Sequence, residues 1–337
     1  MWADNLRFFS ILTVVILHVS GGFVGGIDIS STAYGSESWW AGNIFDSISR
    51  WCVPVLVMIS GYFILNREEE NTVFIKKRIN RIFIPLIFWS LFYSFWTIIN
   101  IYIFGELSLV DIKSVIVSLI FGEPYYHLWY LFMIPFLYVL TPLLRLVLKF
   151  STKQELLFYI TFCFIMASVN VIYRHIFYSY LGTYGVDLFI NKFLGYIGYF
   201  VLGGYIGRFN PKVNVKICLM LLIASWFVTI VASYYYGYLY FYDYLSFNTI
   251  VASITCFLIS RHILEYGLGL EASARFSFGI YLIHPFVLDL ISLTVKEDIT
   301  TRISIYLYIP LVSLFTFVVS YMLVAICYKN SLLRRCL

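Results

Sequence analysis

Apolar stretches long enough to cross a bilayer recur from one end of this chain to the other, and they limit its fold more tightly than anything else in it. A helix needs about 20 apolar residues to span hydrocarbon, where every backbone N–H and C=O must find its partner within the protein. Ten such stretches stand at approximately 6–24, 42–65, 82–104, 127–148, 155–173, 188–207, 215–236, 243–262, 276–295 and 303–327. Of 337 residues, 61% are hydrophobic and only 12% charged, against the quarter charged of a usual soluble domain. The fold class is therefore all-α, a polytopic integral membrane helical bundle with about ten transmembrane helices, read as a single membrane-embedded domain over 1–337. Residues 112–121 are apolar but too short to span, and are expected as an interfacial or re-entrant helix between spans three and four. No soluble domain, low-complexity linker or internal repeat stands out.

The basic residues orient this bundle. With the N-terminus in the cytoplasm, six of the 23 (Arg50, Lys113, Arg174, Lys192, Lys296 and Arg302) fall on or near the outside, and the other seventeen inside. That asymmetry obeys the positive-inside rule and places both termini in the cytoplasm. The net charge of +5 reports this topology and implies no nucleic-acid partner. The first span has only Arg7 as a basic flank and no convincing cleavage site, so it is expected to remain in the mature protein. Six cysteines are scattered without paired spacing, which gives neither a disulfide framework nor a metal motif.

Arg7 and His18 lie eleven residues apart in the first span. At 100° per residue this is three turns plus about 20°, so both share one helix face, separated by roughly 16 Å of rise. Arg7 then sits at an interface and His18 deep in the bilayer, where an ionisable group marks a functional site. Snorkelling of Arg7 and a helix-to-helix bond of His18 are the structural alternatives. Between spans two and three, residues 74–85 hold the densest basic cluster, with Lys77, Arg78 and Arg81 at i, i+1 and i+4. Arginine forks suit phosphate oxygens, so the cluster can hold a phosphorylated cytosolic ligand. Attraction to anionic lipid headgroups explains the same charges.

Six segments in order carry a family resemblance. They are Leu6 to His18 (a basic residue, ten residues, then histidine), Arg50 to Tyr62 ending in Ser60-Gly61, and Arg78-Ile-Asn-Arg81 before Pro85. The others are His127-Leu-Trp-Tyr-Leu131, Gly203 to Gly207 and Ser277 to Pro285. Together they resemble the membrane-bound acyltransferase 3 family of bacterial surface-glycan O-acetyltransferases. The Val53-Pro54 form of the second helix is similar to the branch that includes the enterobacterial common antigen acetyltransferase. Some members carry a fused extracytoplasmic esterase-like domain. This chain ends ten residues after its last span, so the membrane domain is expected to act alone or with a separate partner.

The resemblance implies an acyltransferase of the bacterial cytoplasmic (inner) membrane. It would move an acetyl group from cytosolic acetyl-CoA, the acyl donor, to a sugar hydroxyl of a polysaccharide or lipid-linked glycan; no metal is implied. Lys77, Arg78 and Arg81 would then bind the coenzyme A phosphates, with the pantetheine arm reaching towards His18. His18 would act as general base or as covalent acyl carrier, and Arg7 would position the donor. His127 and Trp129 would line the acceptor entrance, unless Trp129 belongs to the aromatic belt. His284, beside Pro285, either binds substrate or bonds a carbonyl the proline has freed. His175 is expected in an outer loop and His262 at an inner helix end. Ser60, Gly61, Gly203 and Gly207 read as close-packing residues. The loop Gly21 to Trp40, with Asp28, Glu37 and Trp39-Trp40, is the candidate acceptor loop, and an interfacial anchor is the other reading of the tryptophans. A transporter or flippase of lipid-linked sugars is the competing function, and a membrane sensor a third. Membrane lipid is a partner under every reading.

Reporter fusions check the topology. Those after Asn210 and Leu337 are expected to read as cytoplasmic and one after Ile27 as external; a cytoplasmic signal after Ile27 would overturn the ten-span arrangement.

Overall fold

The computed structural model describes residues 2–105, 108–181, 193–264, 268–294 and 303–337, and all regular elements among them are helical. In chain order they are α1 (Trp2–Gly21), α2 (Glu37–Ser49), α3 (Cys52–Leu65), α4 (Asn71–Phe104), α5 (Leu109–Ile120), α6 (Trp129–Phe150) and α7 (Lys153–Leu181). There follow α8 (Ile197–Phe209), α9 (Val215–Tyr236), α10 (Tyr238–Phe241), α11 (Phe247–Ile263), α12 (Glu271–Ala274), α13 (Ser277–Thr294) and α14 (Ile305–Cys327). Lys192, Lys296, Arg302, the first residues of the predicted span 188–207 and the last of 276–295 lie outside the described residues. The chain divides into two compact units, Met1–Arg67 with Leu144–Tyr321, and Glu68–Leu143 with Met322–Leu337.

Eight helical segments among the described residues are long and apolar enough to cross a membrane, α2 and α3 together forming one of them. The stretches expected as spans six and eight are shorter, as α8 has 13 residues and α11 has 17. The single helix expected at 42–65 is broken at Arg50–Trp51, because Pro54 has no N–H to offer the Arg50 carbonyl. The helical ladder resumes when the Val55 N–H reaches the Trp51 carbonyl at 3.1 Å. The basic segment expected as a loop is instead the opening of α4, a continuous helix of 34 residues that contains Pro85. His175, expected in an outer loop, lies within α7, which runs past the predicted end at 173; Arg174 on it pairs with Asp243 at 2.6 Å. Trp39 and Trp40 also leave the loop. Ser36 caps the N-terminus of α2 by accepting from the Trp39 N–H at 3.2 Å, so both tryptophans ride its first turns.

In the first unit α1 packs against α2, α3 and α13, α3 lies along α8, and α9 along α11. The α3–α8 seam is a contact of backbones. A Cβ on Gly61 would overlap the Phe200 carbonyl, and one on Gly203 would overlap the Met58 carbonyl. Gly207 faces Asn66, whose amide donates to the Tyr62 and Gly204 carbonyls at 2.8 and 3.0 Å. Arg145 closes the end of α3 by donating to the Ile64 carbonyl through Nε and Nη2, at 3.1 and 3.0 Å. Helix α9 buries one stripe, Cys218, Leu222, Ser225, Thr229 and Ser233, at helical spacing. In the second unit α4 packs on α5 and on the terminal turn Leu333–Cys336, and Trp89 Nε1 donates to the Cys336 carbonyl at 2.7 Å. Helix α5 matches the short helix expected at 112–121 and starts at a capping box between Ser108 and Asp111. The Ser108 hydroxyl and N–H hold the Asp111 carboxyl below its usual range. The six cysteines are free.

The glycine seam yields a direct test. Gly61→Val and Gly203→Val must push two backbones apart, and both are expected to lower the thermal midpoint and folded yield of detergent-purified protein by an overpacking cost of about 1–3 kcal/mol. Ser60→Ala, whose hydroxyl bonds back to the Leu56 carbonyl at 3.0 Å, is expected to cost much less. Size-exclusion and thermal unfolding profiles make the comparison.

Candidate functional site

The His18 ring, carried by α1, stacks on the His284 ring of α13 with centroids 5.3 Å apart and planes inclined by 27°. These two histidines are 266 residues apart in sequence and share one place in the first unit. His284 is fully buried, and its Nδ1–H donates to the Ile280 carbonyl at 3.1 Å. The Tyr281 carbonyl, whose helical donor is lost to Pro285, is a second backbone acceptor for the same ring. Backbone bonds thus fix the ring on which His18 leans. His18 itself is partly exposed.

Behind His18 lies a polar network that the sequence reading missed. The titratable groups acting electrostatically on His18 are His284 and Arg50. Arg50 pairs with the fully buried Asp46 through Nε and Nη2, and its Nη1 donates to the Tyr242 carbonyl at 3.0 Å. The guanidinium also lies over the rings of Tyr242 and Tyr244, at 4.4 and 5.7 Å. One turn earlier on α2, Asn43 Oδ1 accepts from the hydroxyls of Ser47, Ser233 and Tyr242, at 3.1, 2.8 and 2.6 Å. Its Nδ2 donates to the Ile230 carbonyl at 3.0 Å. Burial pushes the Tyr242 phenol above its ordinary range, so it stays a donor to Asn43. The available signal was an Asp and an Arg at i, i+4 inside an apolar span, where an unpaired charge would be costly.

The other expected residues are dispersed. Arg7 pairs with Asp4 at 2.8 Å and lies over the Phe63 ring at 5.4 Å. Glu37 is exposed in the first turn of α2. Trp39 is 1% exposed, its ring packed against Tyr34, Trp40 and Tyr234 at 4.5–5.8 Å. It therefore supports the loop from beneath, while Trp40 is partly exposed. The same loop is tied to α9 where the Tyr34 hydroxyl donates to the Ser233 and Tyr234 carbonyls at 2.9 and 2.7 Å. The Ser30 N–H and hydroxyl hold the Asp28 carboxyl below its usual range.

In the second unit Lys77 pairs with Glu69 at 2.5 Å, and Arg81 is exposed. Arg78 lies over the rings of Phe74 and Tyr138 at 5.4 and 5.6 Å, and its buried Nε has no hydrogen-bond partner among the described residues. It lines a cavity of about 280 Å³ whose other walls include Ile75, Ile82, Phe132, Pro135 and Tyr138. His127 sits in the turn before α6, buried against Tyr93, Tyr125 and Tyr126 at 4.9, 5.8 and 5.6 Å. Trp129 begins α6 and meets Tyr130 edge to face at 6.2 Å. Among the described residues no three of His, Cys, Asp and Glu are grouped to hold a metal ion.

No curated protein and no solved structure matches the chain. Residues 2–325, however, match a family described as an acyltransferase domain, acyltransferase 3. With six ordered motifs, an all-helical membrane fold and a match over nearly its whole length, the chain belongs to the acyltransferase 3 family and is an acyltransferase.

Proposed function

We propose that this acyltransferase moves an acetyl group from acetyl-CoA to a sugar hydroxyl of a cell-surface or lipid-linked polysaccharide, in the cytoplasmic membrane of a bacterium. The observation that carries the reading is the stacked His18–His284 pair, an imidazole held in the transmembrane part of the first unit by a ring that is itself fixed. His18 takes the proton of the attacking hydroxyl as general base, which raises the nucleophilicity of the sugar oxygen where no bulk base is present. His284 orients that base. The proton then passes from His18 to the departing sulfur.

In the second unit Arg78 and Arg81 are assigned the donor's phosphates. Arg78 fits this role because its Nε is an unused donor and its cavity walls are apolar, suited to the aliphatic arm beyond a phosphate. Lys77 adds charge already shared with Glu69. Arg7, paired with Asp4, is assigned to positioning the donor. For the acceptor, Glu37 offers a carboxylate to sugar hydroxyls and Trp39 holds the loop that presents it. His127, buried among Tyr93, Tyr125 and Tyr126, and Trp129, at the start of α6, are assigned to the acceptor entrance in the second unit. The Val53-Pro54 form of the second helix supports an acceptor of the common-antigen kind.

Deleting the gene is expected to remove O-acetyl groups from a surface glycan while leaving its export intact; loss of export would favour a flippase. Complementation with His18→Ala is expected to give acetylation at background level with normal membrane accumulation. Normal acetylation by that variant would remove His18 from the chemistry.

The donor cluster is tested by keeping its charge and changing its shape. Arg78→Lys and Arg81→Lys are expected to weaken acetyl-CoA binding to purified protein by roughly 10-fold, about 1.4 kcal/mol, since lysine lacks the planar fork. Wild-type affinity in both would leave the cluster only its topological role.

A further inference from the structure

We infer that Arg50 is the oxyanion-stabilising residue of the transfer reaction, and that Asp46 is the residue that positions it. This rests on the acetyl-transfer reading above. Three observations meet here. The first is the register of α1 against α2. A Cβ on Gly21 would lie 3.5 Å from Asp46 Oδ2, and one on Gly42, a turn earlier on α2, would lie 2.7 Å from the Cβ of Phe23, just past the end of α1. The two helices therefore run antiparallel, with Gly21 level with Asp46. Three residues back along α1 is His18, and four residues on along α2 is Arg50. Each step is about one turn in the same direction, so the two side chains share a level in the bundle.

The second observation is that Arg50 is committed on one side only. Its Nε and one Nη2 proton face Asp46, and one Nη1 proton faces the Tyr242 carbonyl. A guanidinium has five N–H groups, so among the described residues two remain, one on each terminal nitrogen. The side chain keeps 17% of its surface exposed whereas Asp46 keeps none. The third is that the pair is an incomplete structural device. Among the described residues Asp46 Oδ2 is buried without a hydrogen-bond partner, and a buried ion pair is a poor source of stability. Its use lies in what it holds in place.

The chemistry needs a cation at this level. As the sugar oxygen bonds to the thioester carbon, its proton goes to His18 and the carbonyl π electrons move onto oxygen. The resulting oxyanion is met by the two free N–H groups of Arg50. The carbonyl then re-forms, the C–S bond breaks, and the thiolate takes the proton from His18 to leave as the thiol. Arg7 cannot serve here, because it lies three turns away along α1 and is paired with Asp4.

The test uses the full-length protein in proteoliposomes, with acetyl-CoA as donor and polysaccharide extracted from a deletion strain as acceptor. Asp46→Asn/Arg50→Gln removes both charges together and strands neither in the membrane. It is expected to accumulate and to lose about 10²-fold or more in kcat, the usual cost of a lost oxyanion donor. Its KM for acetyl-CoA should stay within about twofold, and a wild-type size-exclusion profile and thermal midpoint separate the loss of kcat from a loss of folded protein. Arg50→Lys keeps a cation against Asp46, but its three N–H groups radiate from one atom in place of a planar fork of five; its kcat is expected to fall at least about 10-fold. Wild-type kcat in either variant overturns the role of Arg50 and leaves the acetyl-transfer reading standing. Absence of transfer by the wild-type protein overturns that reading, and this assignment with it.

Discussion

The Asn43 carboxamide gathers three hydroxyl donors on one oxygen and gives its amide to a helix carbonyl, and the polar interior of the first unit is organised around it. Hydrocarbon offers no water to a stranded group, so each polar side chain carried inside must bring or find its partners. Asn43 draws the end of α9 and the segment holding Tyr242 onto α2. That leaves the Tyr242 carbonyl where Arg50 can use it. Arg50 in turn has Asp46 behind it and His18 near it. His18 is thus the partly exposed tip of a chain of polar groups reaching back through α2 to α9.

The second unit is organised differently. Helix α4 is uninterrupted for 34 residues, and both of its distinctive places lie on it. Arg78, at the cavity, and Tyr93, packed on His127, are fifteen residues apart, or roughly 22 Å along the axis. That distance approaches the thickness of the hydrocarbon core, so a single helix carries a cation and an aromatic cluster most of a membrane's depth apart.

The helical class, the positions of most spans and the close-packing glycines were legible because hydropathy and residue size are local properties. That a single helix carries both Arg7 and His18 was legible for the same reason, since an apolar run needs no distant partner to be read. What joins His18 is not local: nothing in residues 6–24 announces that His284 will stack on it. The break before α3 was readable from Pro54, yet its weight came from the residue it exposes, Arg50, which in sequence was one more outer cation. The length of α4 was hidden because charge marked residues 74–85 as a loop, although lysine, arginine and isoleucine all sustain a helix. Trp39 shows the opposite error, where an aromatic expected at a surface is used as the floor beneath one.

The seam between α3 and α8 bears on how such a molecule can move. Where Gly61 and Gly203 meet the opposing main chain there is no side chain to change rotamer, so neither helix can turn or slide without a collision of backbones. Arg145 locks one end of α3, and the Arg50 break lies at the other. This pair of helices is a fixed post. Helix α9, whose buried stripe is mostly small or polar, is tied down instead by hydrogen bonds, Asn43 donating to the Ile230 carbonyl and Tyr34 to those of Ser233 and Tyr234. The first unit therefore keeps its shape in two ways, by main-chain contact at the α3–α8 seam and by hydrogen bonds along α9.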